Sequence, residues 1–134
     1  MTNGPPKLAK LTRPRLHTPV ARDRLFRQLD ELRSHSVVWV TGPPGAGKTT
    51  LVASYLDAAR IEAIWMQLDA ADSDPAAFFL YLRQAIGAME ERRARPLPLL
   101  TVEYLADLPG FARRFFRDAF ARLPSQTPVV LDNY

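Results

Sequence analysis

Residues 42–50 read Gly42-Pro43-Pro44-Gly45-Ala46-Gly47-Lys48-Thr49-Thr50, and they follow the apolar run Val37-Val38-Trp39-Val40. The spacing Gly-x4-Gly-Lys-Thr lies between a run that predicts a buried strand and a segment that predicts an amphipathic helix, which is typical of a phosphate-binding loop. The alternative is a glycine-rich turn that contains a lysine by chance. Because strand and helix flank the motif on the expected sides, we favour the phosphate-binding loop.

All nine residues of this loop are predicted to contact a nucleotide. Pro43 and Pro44 have no N–H, so they bend the chain without competing as donors. Glycine at three loop positions allows positive φ and a close approach of the ligand to the main chain. The amides of residues 45–50 are then available to phosphate oxygens where the helix dipole favours negative charge. Lys48 is predicted to contact the β- and γ-phosphates of the nucleotide, and the Thr49 hydroxyl to ligate Mg²⁺.

The composition limits the class of protein. The chain has 134 residues, 47% of them hydrophobic, and it has no cysteine, which excludes disulfides and thiolate metal sites. No run approaches the ~18 apolar residues that a membrane helix needs, so we expect a soluble cytoplasmic protein without membrane contact. His17 and His35 are isolated from other ligand side chains, so no metal or proton-transfer role is assigned to them.

Positive charge is concentrated in the N-terminal part of the chain. Residues 1–35 carry eight basic and three acidic side chains, whereas the whole chain has a net charge of +4. A basic arm could bind nucleic acid by neutralising phosphates, but this one has no aromatic residue before Phe26 and no recognition motif. We favour an extended, solvated arm over residues 1–20 that lies against the nucleotide site, followed by a nucleotide-binding domain over 21–134.

Hydrophobic spacing predicts the remaining elements. Helices are expected over 21–32, 47–59, from Pro75 to about 89, 102–107 and 110–123, and strands over 36–41, 61–68 and 128–131. In the helix over 47–59, Leu51, Val52, Tyr55 and Leu56 are predicted to face inward. The charged run Glu90-Glu91-Arg92-Arg93 is predicted to end the helix that begins at Asp74-Pro75, a pair that is typical of a helix start. This helix has an apolar stripe of Phe78, Phe79, Leu82, Ala85, Ile86 and Met89, and the last helix has one of Phe111, Phe115, Phe116, Ala119 and Phe120. We interpret both as core.

The outer face of the helix over 110–123 carries Arg113, Arg114, Arg117 and Arg122. This face is predicted to be solvated. The alternative is that one of these arginines reaches the γ-phosphate.

The chain ends with an apolar strand that delivers an aspartate, Val129-Val130-Leu131-Asp132. Strand C-termini face the ligand crevice in open parallel sheets, so this pattern indicates a Walker B site in which Asp132 holds Mg²⁺ opposite Thr49. The alternative is a plain strand end with a turn-forming Asp132-Asn133 pair.

These residues resemble a known family, the ATP-dependent transcriptional regulators typified by the maltose-regulon activator (MalT-like, LuxR-type), within the STAND class of P-loop NTPases. Its opening segment is similar to Lys10-Leu11-x-x-Pro14 and Val20-Ala21-Arg22-Asp23-Arg24-Leu25. Further likeness lies in Trp65-Met66-Gln67-Leu68-Asp69, in Asp72-x-Asp74-Pro75-x-x-Phe78-x-x-Tyr81-Leu82 and in Leu131-Asp132-Asn133-Tyr134. The resemblance implies a three-layer αβα P-loop NTPase of the AAA-like type, ATP or ADP with Mg²⁺ as cofactors, and Arg22 beside the nucleotide. It also implies DNA binding only through a C-terminal domain, and self-association of the full-length protein.

Two departures from the family pattern affect these expectations. Family members commonly have a second acidic residue after the Mg²⁺ aspartate, where this chain has Asn133. Asparagine orients a water by hydrogen bonding but cannot accept its proton, so we expect slow or negligible hydrolysis. Second, the family's sheet places the strand after Walker B between the P-loop strand and the Walker B strand. This chain stops before that strand, so we expect an N-terminal fragment with an incomplete sheet, which does not form the family fold unaided.

Three functions therefore remain open at the level of sequence. The first is an ATP-dependent conformational switch with Lys48, Asp132 and Asn133 at its catalytic centre. The second is a stand-alone P-loop ATPase or small kinase, for which no acceptor pocket or arginine-bearing lid can be assigned. The third is a non-functional remnant. The fold and site arguments favour a nucleotide ligand, whereas only the resemblance favours a regulator.

Overall fold

The structure, a computed structural model, describes residues 8–16, 22–89 and 95–134. Its helices are α1 (Asp23–Leu32), α2 (Lys48–Ala58), α3 (Pro75–Met89) and α4 (Leu108–Arg122), and its strands are β1 (Ile64–Gln67) and β2 (Val129–Asp132). Short 3₁₀ helices cover Ala9–Leu11, Ala70–Ser73 and Val102–Asp107. The chain divides into two compact units, which we name the loop unit (Arg13–Glu62) and the sheet unit (Met1–Thr12 with Ala63–Tyr134).

The sheet unit is built on one parallel pair of strands. β1 pairs with β2 in a register that joins Ile64 to Val129 and Gln67 to Asp132. Ile64, Trp65 and Met66 are buried, as expected of a parallel strand that is covered on both faces. Both strands end at the same edge, so the residues that follow Gln67 and Asp132 emerge side by side.

Aromatic packing between α3 and α4 forms the core of the sheet unit. The Phe79 ring packs edge-on against Phe111 and Phe115, with centroid separations of 5.0 and 4.9 Å. These side chains belong to one buried cluster that also takes in β1 and Leu97. The predicted stripe of α3 is therefore confirmed as core. The predicted stripe of α4 is confirmed at Phe111, Phe115 and Ala119 but is wrong at Phe120, which is 53% exposed.

Capping side chains define where α3 and α4 begin. Asp74 Oδ1 accepts a hydrogen bond from Ala76 N at 3.1 Å, which confirms the predicted start of α3. Asp107 Oδ1 accepts from Gly110 N at 3.0 Å and caps α4. A β-carbon at Gly110 would lie 2.0 Å from Asp107 Oδ2, so this cap requires glycine at that position. α4 accordingly begins at Leu108, two residues before the predicted start.

The loop unit contains α1, the phosphate-binding loop and α2. α2 ends in a Schellman motif, since Ile61 N donates to Leu56 O at 2.9 Å and Arg60 N to Asp57 O at 3.2 Å. Arg60 has a left-handed φ of 54°, a conformation usually taken by glycine at this place. Arg13 Nη2 forms an ion pair with Asp57 Oδ1 at 2.7 Å. The far end of α2 is thereby fixed both by its own backbone and by the segment that precedes α1.

The predicted strand over 36–41 is wrong. Residues 37–40 form no strand, and the sheet in the described part of the chain has only β1 and β2. Val37 and Trp39 are 68% and 67% exposed. A strand exists only when a neighbour satisfies its backbone groups, and apolar composition alone does not provide that neighbour. The described residues form helices and a small parallel sheet, which is consistent with the expected incomplete α/β fold.

The predicted arm over residues 1–20 is described only in part, because residues 1–7 and 17–21 lie outside the described residues. The segment Ala9–Leu11 is a 3₁₀ helix rather than extended chain. Lys10 within it is ion-paired rather than solvated. The predicted charged end of α3, at Glu90-Glu91-Arg92-Arg93, also falls outside the described residues.

Candidate functional site

Two of the three loop glycines, Gly45 and Gly47, have the positive φ that was predicted for them, whereas Gly42 does not. Ala46 N donates to Pro43 O at 3.1 Å and closes a turn that contains Pro44. Gly45 and Gly47 follow with φ of 77° and 83°, in the left-handed region where a β-carbon is disfavoured. The sequence Pro-Pro-Gly-Ala-Gly thus forms a tight loop because its prolines fix the bend and its glycines take the two disfavoured conformations.

The loop leads directly into the N-terminus of α2. Gly47 is the N-cap, and the first intrahelical backbone bond runs from Leu51 N to Gly47 O at 2.8 Å. The N–H groups of Lys48 and Thr50 precede that bond and therefore have no acceptor within the helix. Thr49, half-buried, is the second residue of α2. A helix N-terminus of this kind, following a glycine-rich loop, is an anion-binding arrangement.

The Lys48 ammonium folds back over the loop. Its Nζ donates to Gly42 O at 2.8 Å and to Pro43 O at 3.2 Å. Gly42 is close enough to this side chain that a β-carbon there would lie 3.7 Å from Lys48 Cδ. The positive charge is therefore held at the mouth of the loop by two main-chain carbonyls.

Arg22 lies against the same loop. A β-carbon built on Gly47 would be 3.2 Å from Arg22 Nη2 and 3.9 Å from Arg22 Cζ. The guanidinium therefore occupies the space that a side chain at 47 would need. The structure thus brings together Arg22 and residues 42–50, all within the loop unit, and gives this region two cations.

Asp132 and Asn133 lie in the sheet unit, at the carboxyl edge of the parallel pair. Asp132 is the last residue of β2 and its carbonyl accepts from Leu68 N at 2.8 Å. Asn133 has a φ of 64°, and its Nδ2 donates to Leu68 O at 3.2 Å. The strand that delivers Asp132 is therefore confirmed. Because Thr49 and Asp132 belong to different units, their joint binding of one Mg²⁺ stays a prediction.

Sequence reasoning missed a charged cluster at this carboxyl edge. Lys10 Nζ forms ion pairs with Asp69, at 2.8 Å, and with Asp72, and it lies 5.1 Å from the centre of the Tyr81 ring. Asp69 and Asp72 also cap each other's backbone in a capping box. The acidic loop 69–74 was visible in the sequence, but nothing in the sequence linked it to a lysine 59 residues before Asp69.

Lys10, Asp69 and Asp72 form what we call the Lys10 cluster. Within it, the pKa values of Asp69 and Lys10 are shifted. The hydrogen bond from Lys10, followed by that from the Ala71 amide, lowers the pKa of Asp69. Burial alone would lower the pKa of Lys10, but its hydrogen bonds to Asp69 and Asp72 outweigh burial and raise that pKa. Lys10, Gln67, Leu68, Asp69 and Asn133 together line an open cleft beside the strand ends.

A second contact that the sequence did not reveal joins α1 to α2. The Tyr55 hydroxyl donates to Asp30 Oδ1, and the Tyr55 ring packs edge-on against Phe26 with a centroid separation of 5.7 Å. Tyr55 is buried. Helical spacing predicted that Tyr55 faces inward, but its polar partner lies on a separate helix.

The described residues contain no helix long and apolar enough to cross a membrane. They also contain no group of three or more His, Cys, Asp or Glu side chains arranged to hold a metal ion. Mg²⁺ is commonly held by one or two protein oxygens with the remainder from phosphates and water. The hydroxyl of Thr49 and the carboxylate of Asp132 are oxygen donors of this kind.

Comparison with known proteins agrees with the geometry of the loop. Residues 30–129 match the family model described as an AAA domain. The HTH-type transcriptional regulator MalT of Vibrio cholerae serotype O1 is 33% identical over 132 residues, which is 94% of this chain and 14% of that protein. The same-named regulators of Cronobacter sakazakii and Serratia proteamaculans are 39% and 40% identical over 79 residues, 58% of this chain and 9% of each relative.

No solved structure matches the chain. The chain spans about 14% of the length of the relatives that align with most of it. The family match covers well over half of the chain and includes the whole phosphate-binding loop. On that match and on the loop geometry, the chain belongs to the AAA domain family of P-loop NTPases and is related to the MalT regulators.

Proposed function

We propose that this protein binds ATP with Mg²⁺ and uses the bound nucleotide as a conformational switch in a transcriptional regulator. The observation that carries the proposal is the loop over residues 42–50, in which two left-handed glycines lead into the N-terminus of α2. An ATP-binding role requires main-chain donors that converge on phosphate oxygens, and this loop offers them.

Lys48 supplies the positive charge for the β- and γ-phosphates. Its ammonium is held by Gly42 O and Pro43 O, two weak neutral acceptors that phosphate oxygens can replace with stronger charge-assisted bonds. Arg22, beside Gly47, adds a second cation whose planar guanidinium suits two phosphate oxygens at once. Together these side chains favour a nucleotide with more than one phosphate.

Mg²⁺ is proposed to bind through the Thr49 hydroxyl and the Asp132 carboxylate. Both supply hard oxygen donors, as Mg²⁺ prefers. When bound, the ion would neutralise charge on the β- and γ-phosphates. The residues of the chain have the separate task of orienting the phosphates, through the amides of residues 45–50 and through Lys48.

Hydrolysis is proposed to be slow. The residue after Asp132 is Asn133, whose amide cannot take a proton from an attacking water. Its Nδ2 is also engaged with Leu68 O. A turnover comparable to that of ordinary ATPases, unchanged by Asn133→Ala, would contradict this part of the proposal.

The regulator assignment rests on relatives that carry the name HTH-type transcriptional regulator MalT. Because the chain spans about 14% of their length, we propose that DNA binding belongs to segments that the chain does not cover. Self-association in response to ATP is proposed for the regulator as a whole.

Isothermal titration calorimetry of the protein with ATP, with and without Mg²⁺, tests nucleotide binding. We expect Lys48→Met to weaken ATP binding at least about tenfold, because it removes the charge at the mouth of the loop. Arg27→Met, which removes an exposed cation from α1, is the matched control and should bind like the unmodified protein. Undiminished affinity in Lys48→Met, or no heat with any adenine nucleotide, would overturn the proposal.

Phosphoryl transfer to a small acceptor would instead favour a kinase. Incubation with γ-labelled ATP and common small hydroxyl acceptors should yield no labelled product if the protein is a switch. If labelled product forms with the unmodified protein but not with Lys48→Met, the protein is a kinase rather than a switch.

A further inference from the structure

Side chains of α1 and of its N-cap reach α2 at two places. The guanidinium of Arg22, the N-cap of α1, lies beside Gly47, the N-cap of α2, where a β-carbon would be 3.2 Å from Arg22 Nη2. Further along, Phe26 packs on Tyr55 and Asp30 accepts the Tyr55 hydroxyl hydrogen bond. All of these residues belong to the loop unit. One side chain of the α1 segment therefore lies at the phosphate-binding loop, while two others hold the segment to Tyr55 of α2.

The contacts of α1 with α2 follow one helical stripe. Arg22, Phe26 and Asp30 are spaced four residues apart, which places them one above another on a single face of a helix. Phe26 N donates to Arg22 O at 2.9 Å, so the carbonyl of this N-cap residue is tied to the first turn of α1. Consequently, any rotation of α1 about its axis that moves Asp30 away from α2 also moves Arg22 away from Gly47.

The polar contact in this stripe is directional, unlike the aromatic one. Tyr55 is 5% exposed, and its hydroxyl has a carboxylate acceptor on α1. Burial, and then the hydrogen bond and charge of Asp30, raise the pKa of Tyr55 by more than the hydrogen bond and charge of Arg33 lower it, so the phenol keeps its proton at neutral pH. Apolar packing between helices tolerates sliding and rotation, whereas a hydrogen bond to a carboxylate fixes one register.

We infer that the Tyr55–Asp30 hydrogen bond is a positioning contact that holds the Arg22 guanidinium at the phosphate-binding loop, where Arg22 contributes to recognition of the nucleotide phosphates. Tyr55 and Asp30 act only through Arg22 and do not touch the nucleotide. This inference rests on the proposed ATP binding.

A double-mutant cycle measured by calorimetry tests the inference. The variants are Tyr55→Phe, which keeps the ring against Phe26 and loses the hydroxyl, Arg22→Ala, and the two combined. We expect Tyr55→Phe to weaken MgATP binding at least about threefold, in the range of coupling between residues that share one contact network. In the Arg22→Ala background the same substitution should have no further effect on affinity.

Three further variants separate positioning from a general loss of structure. Asp30→Asn retains an acceptor oxygen for the Tyr55 hydroxyl and should keep most of the affinity, whereas Asp30→Ala should resemble Tyr55→Phe. Tyr104→Phe removes a phenol hydroxyl from the sheet unit and should bind MgATP like the unmodified protein. AMP, which lacks the β- and γ-phosphates, should show a smaller response to Tyr55→Phe than ATP does.

The outcomes distinguish this inference from the proposed function. Binding of MgATP that is lost in Lys48→Met but unchanged in Tyr55→Phe would overturn the inference and leave ATP binding intact. An equal loss from Tyr55→Phe with and without Arg22 would also overturn it, because Tyr55 would then act independently of Arg22. Absence of MgATP binding by the unmodified protein would overturn both.

Discussion

Asn133 Nδ2 donates a hydrogen bond to Leu68 O at 3.2 Å, and this contact joins the residue that follows β2 to the residue that follows β1. The left-handed φ of 64° at Asn133 turns its side chain back toward the sheet, a conformation that asparagine accepts more readily than most residues. Asparagine in place of an acidic residue therefore has a structural reason here, because a carboxylate could not donate to a carbonyl.

We predict that Asn133→Asp destabilises the sheet unit. The substitution removes the donor and places a carboxylate beside the lone pairs of Leu68 O, so the free energy of unfolding should fall by about 1 kcal/mol. Urea denaturation followed by circular dichroism measures this change. Asn133→Gly, which keeps the left-handed backbone but lacks the amide, should lose a comparable amount. An Asn133→Asp variant as stable as the unmodified protein would show that the hydrogen bond carries no stability.

Gly47→Ala should weaken MgATP binding. The added β-carbon would sit 3.2 Å from Arg22 Nη2 and would have to adopt a φ of 83°, so both the loop and Arg22 must shift. We expect affinity to fall about tenfold, which corresponds to the cost of one strained residue. Calorimetry gives the affinity directly.

Gly87→Ala is the matched control for that substitution. Gly87 lies within α3, and its added β-carbon would meet no atom within 4 Å. It should leave nucleotide affinity unchanged and stabilise the helix by about 0.5 to 1 kcal/mol. If Gly47→Ala binds MgATP as well as Gly87→Ala does, the conformation of the loop is not what recognises phosphate.

Stability should depend on the Lys10 cluster at both extremes of pH. The pKa of Asp69 is lowered from its ordinary value of 3.8. The ionised Asp69 side chain therefore adds to the free energy of unfolding above pH 3.8, and this stabilisation is lost as the pH falls through the lower, folded-state pKa. The pKa of Lys10 is raised from 10.5, so its contribution is present below that value and is lost as the pH rises through the higher, folded-state pKa.

The denaturation midpoint measured against pH tests this. Lys10→Met should lower the midpoint near neutral pH, because Asp72 is left as a buried carboxylate without its cation. It should also reduce the fall of the midpoint at acidic pH, because Asp69 loses the hydrogen bond that lowers its pKa. Lys10→Arg keeps the charge and should retain most of the midpoint. Identical pH profiles for Lys10→Met and the unmodified protein would contradict the assignment.

Phe79→Ala should be far more damaging than a substitution on the exposed side of α4. The Phe79 ring contacts Phe78, Phe111, Phe115 and Phe116, and its loss leaves a cavity between α3 and α4. We expect a cost of about 3 to 5 kcal/mol. Phe120→Ala, at a 53% exposed position on α4, should cost less than about 1 kcal/mol. Equal effects in urea denaturation would argue against this assignment of the core.

The sequence was sufficient for features that depend on local chemistry. The left-handed glycines, the start of α2 after Gly47 and the Asp74-Pro75 start of α3 follow from side chains and neighbours within a few positions. The apolar stripe of α3 and the strand that ends at Asp132 follow from periodicity. In each case the residues that determine the feature are adjacent in the chain.

Features that depend on distant partners could not be predicted. The run of residues 37–40 has the composition of a strand, but strand formation requires a hydrogen-bonded neighbour that composition does not specify. Lys10 was interpreted as a solvated charge because its carboxylate partners lie 59 and 62 residues away. The Tyr55–Asp30 contact was hidden for the same reason, since helical spacing indicates which face is buried but not what lies opposite.

The parallel pairing of β1 with β2 has a consequence for how the protein acquires its structure. The register joins position 64 to position 129. The long intervening segment must therefore form a closed loop before any hydrogen bond between the two strands can form. Such non-local closure is entropically expensive and slow, whereas α3 and α4 can grow from neighbouring residues. We therefore expect α3 and α4 to form and pack first and the two strands to pair late, with Asp132 reaching its final position only at that last stage.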